Sequence, residues 1–375
     1  MSDTSFNCVS VSRKALQSNY KFIESRVAPG VKVMAMVKAD AYGHDMVLTA
    51  RALEDVGCTV FGVAELCEAV ILRKSGIKGQ IFVMLGFDPE NAAIFVEHDL
   101  TPAIFSSRAA TALSRAAVAA GKQVEVHVKV DTGMGRLGVM PRDLVGFVKE
   151  LDTLPGISVQ GVMSHFPESD VPDSSSTRDG FSTFEQACSL LAGRENFVRH
   201  IANSGAVLNF PDTNCDMVRA GISLYGYHPF GKQPENGSDG NRLIPAMTFS
   251  TQIIQVKDLP KGAGISYGHT YRAERDMRIA VLPVGYEDGF SRILSNQGEV
   301  LIHGRKVPVR GRICMNICMV EITGIDGVQV GDEAVLLGRQ GDAVITADDI
   351  AEKTGSISYE VLCLFGNNNK RVHRE

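Results

Sequence analysis

Along the first 240 positions, apolar residues gather into short β-rich runs separated by helix-like stretches. The runs cover 31–37, 59–64, 80–85, 101–105, 124–130, 159–164, 200–203 and 217–224. Amphipathic or alanine-rich segments such as 46–56, 106–120 and 141–151 lie between them. Such alternation argues for a parallel sheet covered by helices. Eight strand–helix units predict a closed (β/α)8 barrel, although a doubly wound sheet fits the same alternation. After Arg242 the texture changes. Strand-like stretches at 248–256, 277–284, 299–302, 306–309, 318–322 and 333–337 follow one another with turn residues between them and few helical patterns. The segment 231–240, GKQPENGSDG, reads as a linker or exposed loop. The predicted fold is therefore α/β: an N-terminal TIM-type barrel over residues 1–240 and a C-terminal mostly-β domain over 241–375. The start of the chain is a candidate to pack with the β domain.

Composition narrows the function classes. With 38 Lys and Arg against 43 Asp and Glu, the formal charge is −5, and no basic run stands out, which argues against nucleic-acid binding. Hydrophobic residues make up 44% of the 375 positions, enough for sizeable cores. No apolar stretch approaches the roughly 18 residues of a membrane span, and the first twenty residues lack a signal-peptide layout. The expectation is a cytoplasmic protein with no membrane partner. The eight cysteines are scattered without a CxxC pair, so no metal site is expected, and most read as small buried residues.

In a parallel barrel, reactive groups sit at the C-terminal ends of the strands. Lys38 ends the first run, in VMAMVKADAYGHD. A lysine held there with a lowered pKa could form a Schiff base, although taken alone an exposed lysine is the commoner case. KVDTGMGRLG sets Lys129 and Arg136 beside a glycine-rich loop, and an arginine so placed can clamp a carboxylate or phenolate. His165 ends the sixth run, and Arg219 precedes Ala220-Gly221-Ile222. That segment and Asn203-Ser204-Gly205-Ala206 follow the last two strands, where barrels often bind phosphate through free N–H groups. The β domain has dense segments of its own, GAGISYGHTY, VGYEDGFSR, GRICMNIC and SISYEVLC. Composition alone does not make Tyr267 a base.

Read together, the motifs VKADAYGHD, KVDTGMGRLG, HF after a strand, ANSGA, RAGISLYG, ISYGHTY, VGYEDGF, GRICMN and ISYE run in order along nearly the whole chain. In this the sequence resembles the bacterial alanine racemases, fold-type III enzymes that use pyridoxal 5′-phosphate. The resemblance implies a barrel, a β domain and a head-to-tail homodimer whose sites draw on both chains. Lys38 matches the lysine that binds the cofactor covalently, and Tyr267 the second base, reaching in from the partner subunit. Arg219 matches the partner of the pyridine nitrogen, with His165 bridging Arg219 and Tyr267. Tyr42, Ser204, Gly221, Ile222 and Tyr359 match the phosphate site. Arg136 and the N–H of Met315 match the contacts to the substrate carboxylate. Lys129 matches a position carbamylated in some members. Asp170, Tyr286, Arg292 and Arg312 match an access-channel constriction.

The implied reaction interconverts L- and D-alanine and supplies D-alanine for peptidoglycan. It needs one base on each face of the substrate, Lys38 and Tyr267. A free tyrosine, with a pKa near 10, is a poor base at neutral pH, so cationic His165 and Arg219 are expected to stabilise its phenolate. Two departures stand out. Asn316 replaces a frequent aspartate, which predicts a changed local hydrogen bond, and Pro167-Glu168 replace smaller residues at the channel rim. A racemase of the same fold acting on serine or a broad range of amino acids is the near alternative. A non-catalytic pyridoxal-phosphate carrier is the distant one, and it would need no Tyr267.

Overall fold

A computed structural model describes residues 5–194, 197–231 and 242–375. The chain forms two compact units. One comprises Leu16–Ala41 and Met46–Ile244; the other takes the start of the chain through Ala15, Tyr42–Asp45 and Pro245–Glu375. Most of the expected linker at 231–240 lies outside the described residues.

The first strand, β1 (Cys8–Ser12), belongs to the second unit. The barrel strands are β2 (Lys32–Met36), β3 (Val60–Val63), β4 (Gln80–Val83), β5 (Thr101–Ile104), β6 (Val124–Lys129), β7 (Ile157–Met163), β8 (Val198–His200) and β9 (Met217–Ala220). They pair in parallel in the order β8-β7-β6-β5-β4-β3-β2-β9. A bridge between Asn203 and Arg219 joins the chain just beyond β8 to β9, and the Arg219 N–H donates to Ala202 O at 2.9 Å. Strands covered on both faces read as continuous apolar runs, which is why these eight were visible in the sequence. Two strand ends moved by three or more residues. The seventh strand ends at His200, because Asn203 Oδ1 accepts from Ala206 N and starts the helix Ser204–Asn209. The eighth ends at Ala220, where the chain turns into a 3₁₀ segment, Ile222–Tyr225.

After β2 the backbone enters a left-handed turn. Ala39, Asp40, Ala41 and Tyr42 have φ of 52°, 52°, 55° and 54°. Non-glycine residues resist this conformation by roughly 1–2 kcal/mol each. Local bonds hold it: the Ala39 N–H donates to Glu68 Oε1 at 2.6 Å, the Met46 N–H to Asp40 Oδ1 at 2.7 Å, and His44 Nδ1–H to Tyr42 O at 3.0 Å.

In the second unit, β10 (Met247–Gln252), β11 (Gln255–Leu259), β12 (Gly264–Ile265), β13 (Tyr271–Arg272), β14 (Met277–Leu282), β15 (Glu299–Ile302), β16 (Arg305–Pro308), β17 (Cys318–Glu321), β18 (Glu333–Gln340), β19 (Ala343–Ile345) and β20 (Arg371–Arg374) form three sheets. The largest runs β16-β15-β18-β10-β1-β20, with β19 on β18; a second is β11-β14-β17. The single run expected at 248–256 thus divides between two sheets, as Ile253 N bonds to Asp332 O and Ile254 N to Val281 O. Two helices escaped the sequence pattern, Ala347–Thr354, opened by a Thr346–Asp349 capping box, and Ser358–Asn368. The cysteines also depart from expectation. Cys58, Cys188 and Cys318 are buried, but Cys67 is exposed and the other four lie between.

Candidate active site

At the C-terminal ends of the barrel strands, cations gather. Lys129, the last residue of β6, is 5% exposed, with its Nζ 3.4 Å from Met84 O. Burial, followed by the charges of Arg219, Arg136 and Lys38, pulls its pKa down to about 8. Asp131 organises the adjoining loop. Its carboxylate accepts from the N–H groups of Gly133, Gly135 and Arg136 at 3.0–3.1 Å. Burial opposes its ionisation, but these N–H groups hold it below the usual carboxylate range. The loop leaves the Arg136 side chain exposed beside the buried cations.

Arg219 is the hub. Its Nη1 donates to His200 Nδ1 and His200 O, both at 3.0 Å. Its Nη2 faces Ser164 O (2.5 Å), Ile201 O (3.0 Å) and His165 Nδ1 (3.1 Å). No acceptor for Nε occurs among the described residues. Burial, then Arg136, lowers its pKa to about 10, so it stays charged at neutral pH.

This geometry corrects one expectation. A guanidinium only donates, so His165 Nδ1 must carry a lone pair, and the ring is neutral with its proton on Nε2. Burial first, and then Arg219, Arg136, Lys38 and Lys129, hold its pKa well below the ordinary value. His165 therefore offers a hydrogen bond and not a positive charge. The same logic fixes a pair that sequence reasoning missed. His200 Nδ1 accepts from Arg219, so its Nε2–H donates to His127 Nδ1 at 2.9 Å. His127 stands two residues before Lys129 on one strand, and alternation alone puts the two on one face. Gly161 leaves room for its ring, since a Cβ there would lie 2.6 Å from His127 Cε1.

Beyond β8 and β9, two short helical N-termini meet. Ser204 Oγ accepts from Gly221 N at 2.8 Å, and Asn203 Oδ1 accepts from Ser169 Oγ at 2.6 Å and Ala206 N at 3.1 Å. Ile222 opens the 3₁₀ segment. Asp170 is exposed just after this barrel edge, as are Pro167 and Glu168; Glu168 Oε2 accepts from Ser174 Oγ at 2.7 Å.

Lys38 follows β2 in the barrel unit and is half-buried; the second unit carries the remaining candidates. Tyr42 and Tyr359 lie 6.0 Å apart between ring centroids, and burial, then Tyr359, push the Tyr42 phenol well above its ordinary pKa. Tyr42 thus remains a proton donor. The N–H groups of Tyr286 and Glu287 donate to Cys314 O and Met315 O, both at 3.1 Å, zipping together two of the dense segments. Asn316 Nδ2 donates to Glu287 Oε2, a bond that an ionised aspartate could not make. A pocket of about 690 Å³ is lined by Ser266, Tyr267, Cys314, Met315 and Asn316, among others. Tyr267 is 71% exposed; Met315, Tyr286 and Arg292 are exposed, and Arg312 is half-buried.

A TIM-type barrel with four cations at its mouth and a β domain presenting an exposed tyrosine define a two-domain α/β protein of a recognised class of isomerases, as two family models show. Residues 11–229 match the alanine racemase N-terminal domain, and residues 246–373 the C-terminal domain. Alanine racemase from Halothermothrix orenii is 42% identical over 96% of this chain and 94% of its own length. Among solved structures, alanine racemase from D-cycloserine-producing Streptomyces lavendulae superposes with a TM-score of 0.92 at 34% identity, covering 100% of this chain and 98% of that one. The Bartonella henselae enzyme, solved with covalently bound pyridoxal phosphate, gives 0.87 at 28% identity, covering 98% and 99%. The chain belongs to the alanine racemase family, whose members depend on pyridoxal phosphate, and it is an amino-acid racemase.

Proposed function

We propose that the protein interconverts L- and D-alanine with pyridoxal 5′-phosphate by a two-base mechanism, with Lys38 on one face and Tyr267 of the partner subunit on the other. The observation that carries this reading is Arg219. Its Nη hydrogens are engaged by carbonyls and imidazoles, leaving Nε–H as the donor for a ring nitrogen. The surrounding donor set fits the cofactor's anionic groups. Lys38, Lys129 and Arg136 supply charge, and the short helical starts at Ser204 and Ile222 supply N–H groups for a phosphate. Tyr42, Ser204, Gly221, Ile222 and Tyr359 would hold that phosphate.

When bound, the cofactor supplies an electron sink that acidifies the substrate's α-proton. Arg219 keeps its own proton, so a ring nitrogen it contacts stays unprotonated, which moderates the sink and favours proton transfer over transamination. Lys38 Nζ removes or returns the α-proton on one face. Tyr267 Oη does so on the other, with His165 Nε2–H as a hydrogen-bond donor to the phenolate. Arg136 and the Met315 N–H orient the substrate carboxylate. Asp170, Tyr286, Arg292 and Arg312 would narrow the approach. Lys129, largely neutral above pH 8, is an amine suited to carbamylation, and the resulting anion would brace Arg136. A ¹³C-bicarbonate NMR signal that Lys129→Met abolishes would establish it.

The same reading gives the barrel unit the cofactor and gives the β unit, which includes the start of the chain, the task of lending Tyr267 to a partner in a head-to-tail homodimer. The product D-alanine would serve peptidoglycan synthesis in the cytoplasm. Among the described residues no helix is long and apolar enough to cross a membrane.

The test is incubation with pyridoxal phosphate and L-alanine in D₂O, followed by chiral analysis and deuterium content at Cα. D-alanine carrying deuterium is expected. Tyr267→Phe should keep the cofactor chromophore and lose inversion; undiminished racemisation by that variant would refute the two-base assignment. Serine turned over as fast as alanine would favour the broad-range alternative.

A further inference from the structure

Tyr267 sits on the five-residue loop 266–270 that joins β12 to β13. The base of this hairpin is anchored, because Ile265 is 3% exposed in a cluster with Ala273, Met277, Ile279, Val281 and Met319. The tyrosine is not: its side chain is 71% exposed and makes no hydrogen bond among the described residues. Within its own chain, its direction comes from the backbone. That backbone is strained on its N-terminal side, where Ser266 has φ 61° and ψ −173°, a region open essentially only to glycine. His269 and Gly268 follow with φ of 42° and 69°.

The bonds around Ser266 show what keeps it there. Its hydroxyl donates to Arg312 O at 2.6 Å and lies 3.4 Å from Cys314 Sγ. Its carbonyl accepts from His269 N at 3.2 Å, and the His269 ring seats against Gly264, where a Cβ would collide with it. Arg312 and Cys314 lead directly into Met315. One hydroxyl therefore ties the loop bearing the phenol to the segment bearing the proposed carboxylate-binding N–H.

We infer that Ser266 is the positioning residue of the second base: its hydroxyl holds a glycine-type backbone against the Arg312 carbonyl and so fixes the reach of Tyr267 relative to the substrate's carboxylate anchor. This rests on Tyr267 being the second base. Serine at this position gives up backbone comfort for a tether that glycine could not provide.

Ser266→Gly relaxes the backbone and removes the tether, and in the holoenzyme it separates the two effects. The expected result is an unchanged Tm and cofactor spectrum with kcat lowered by up to about 100-fold, the scale of a misplacement near 1 Å. Proton exchange in D₂O should become lopsided. The enantiomer whose α-proton faces Lys38 still exchanges at the wild-type rate but inverts far more slowly, whereas the other exchanges far more slowly. In cofactor-free protein, the ¹³C resonance of labelled Tyr267 should shift. Ser266→Ala, which keeps the strain without the tether, should lower Tm as well and show the same lopsided exchange. Wild-type turnover by Ser266→Gly, while Tyr267→Phe is inactive, would overturn the inference and leave the two-base reading intact. Equal loss of exchange for both enantiomers would also overturn it, since that is what general loosening produces. Racemisation surviving in Tyr267→Phe would instead sink the reading beneath it.

Discussion

At the scale of single residues, direction of donation governs the barrel mouth. Arg219 can only donate, and from that one fact two histidines become neutral and a third, His127, receives a defined tautomer. These rings stay unprotonated in the folded chain; burial, then the charges of Lys32 and Arg219, takes His127 down to about pH 3. The unfolded chain binds protons at these imidazoles near pH 6.5 while the native one does not, so stability must fall as pH drops below about 6.5. Urea unfolding from pH 7.5 to 5 should show this loss, and His127→Phe, which fills the space without a titrating ring, should flatten it. A profile unchanged by the variant would contradict the assignment. The sequence pointed to Lys38, Lys129, Arg136 and His165 because each ends or follows a strand, and to Arg219 because it precedes a glycine loop. It missed His200 and Ser266, whose importance rests on partners 19 and 46 residues away.

At the scale of elements, the left-handed turn after β2 shows tertiary bonds overruling local preference. Nothing in KADAYGHD forecasts four successive non-glycine residues at positive φ, because propensity disfavours each of them. Glu68 and Asp40 supply the compensation. Ala39 is exposed, so Ala39→Gly should relieve strain without opening a cavity and raise stability by up to about 1 kcal/mol. Ala39→Val, β-branched at positive φ, should lower it by more than that. Denaturant midpoints decide both, and a destabilised glycine variant would show the turn to be unstrained. Where the turn ends, Gly43 and Gly366 meet backbone to backbone: a Cβ on Gly43 would stand 2.5 Å from Leu362 O, and one on Gly366 would overlap Gly43 O. The helix Ser358–Asn368 comes this close only because both positions lack side chains.

At the scale of the whole molecule, the prediction concerns chains in pairs. If each site takes Lys38 from one protomer and Tyr267 from the other, Lys38→Ala and Tyr267→Phe chains complement each other. A heterodimer of the two contains one intact site and one doubly defective site. Mixing inactive variants under conditions that allow subunit exchange should recover about a quarter of wild-type activity, the statistical share for a two-fold dimer. No recovery despite verified exchange would place both bases on one chain.

The sequence by itself determined the layer order. Strands buried on both faces must be apolar throughout, and helices between them must be amphipathic, so hydrophobic pattern alone carries a parallel α/β domain followed by a β-rich one, while the Asn203–Arg219 bridge decided for a barrel over a doubly wound sheet. It also determined which strand ends bear cations. The tertiary structure decided everything that depends on partners distant in the chain. It split the 248–256 run between two sheets, kept His165 neutral through an arginine 54 residues away, and held Ser266 in a glycine-like conformation through a carbonyl 46 residues away. Pattern records solvent against core. Protonation and strain record which donor meets which acceptor, and only folding brings those together.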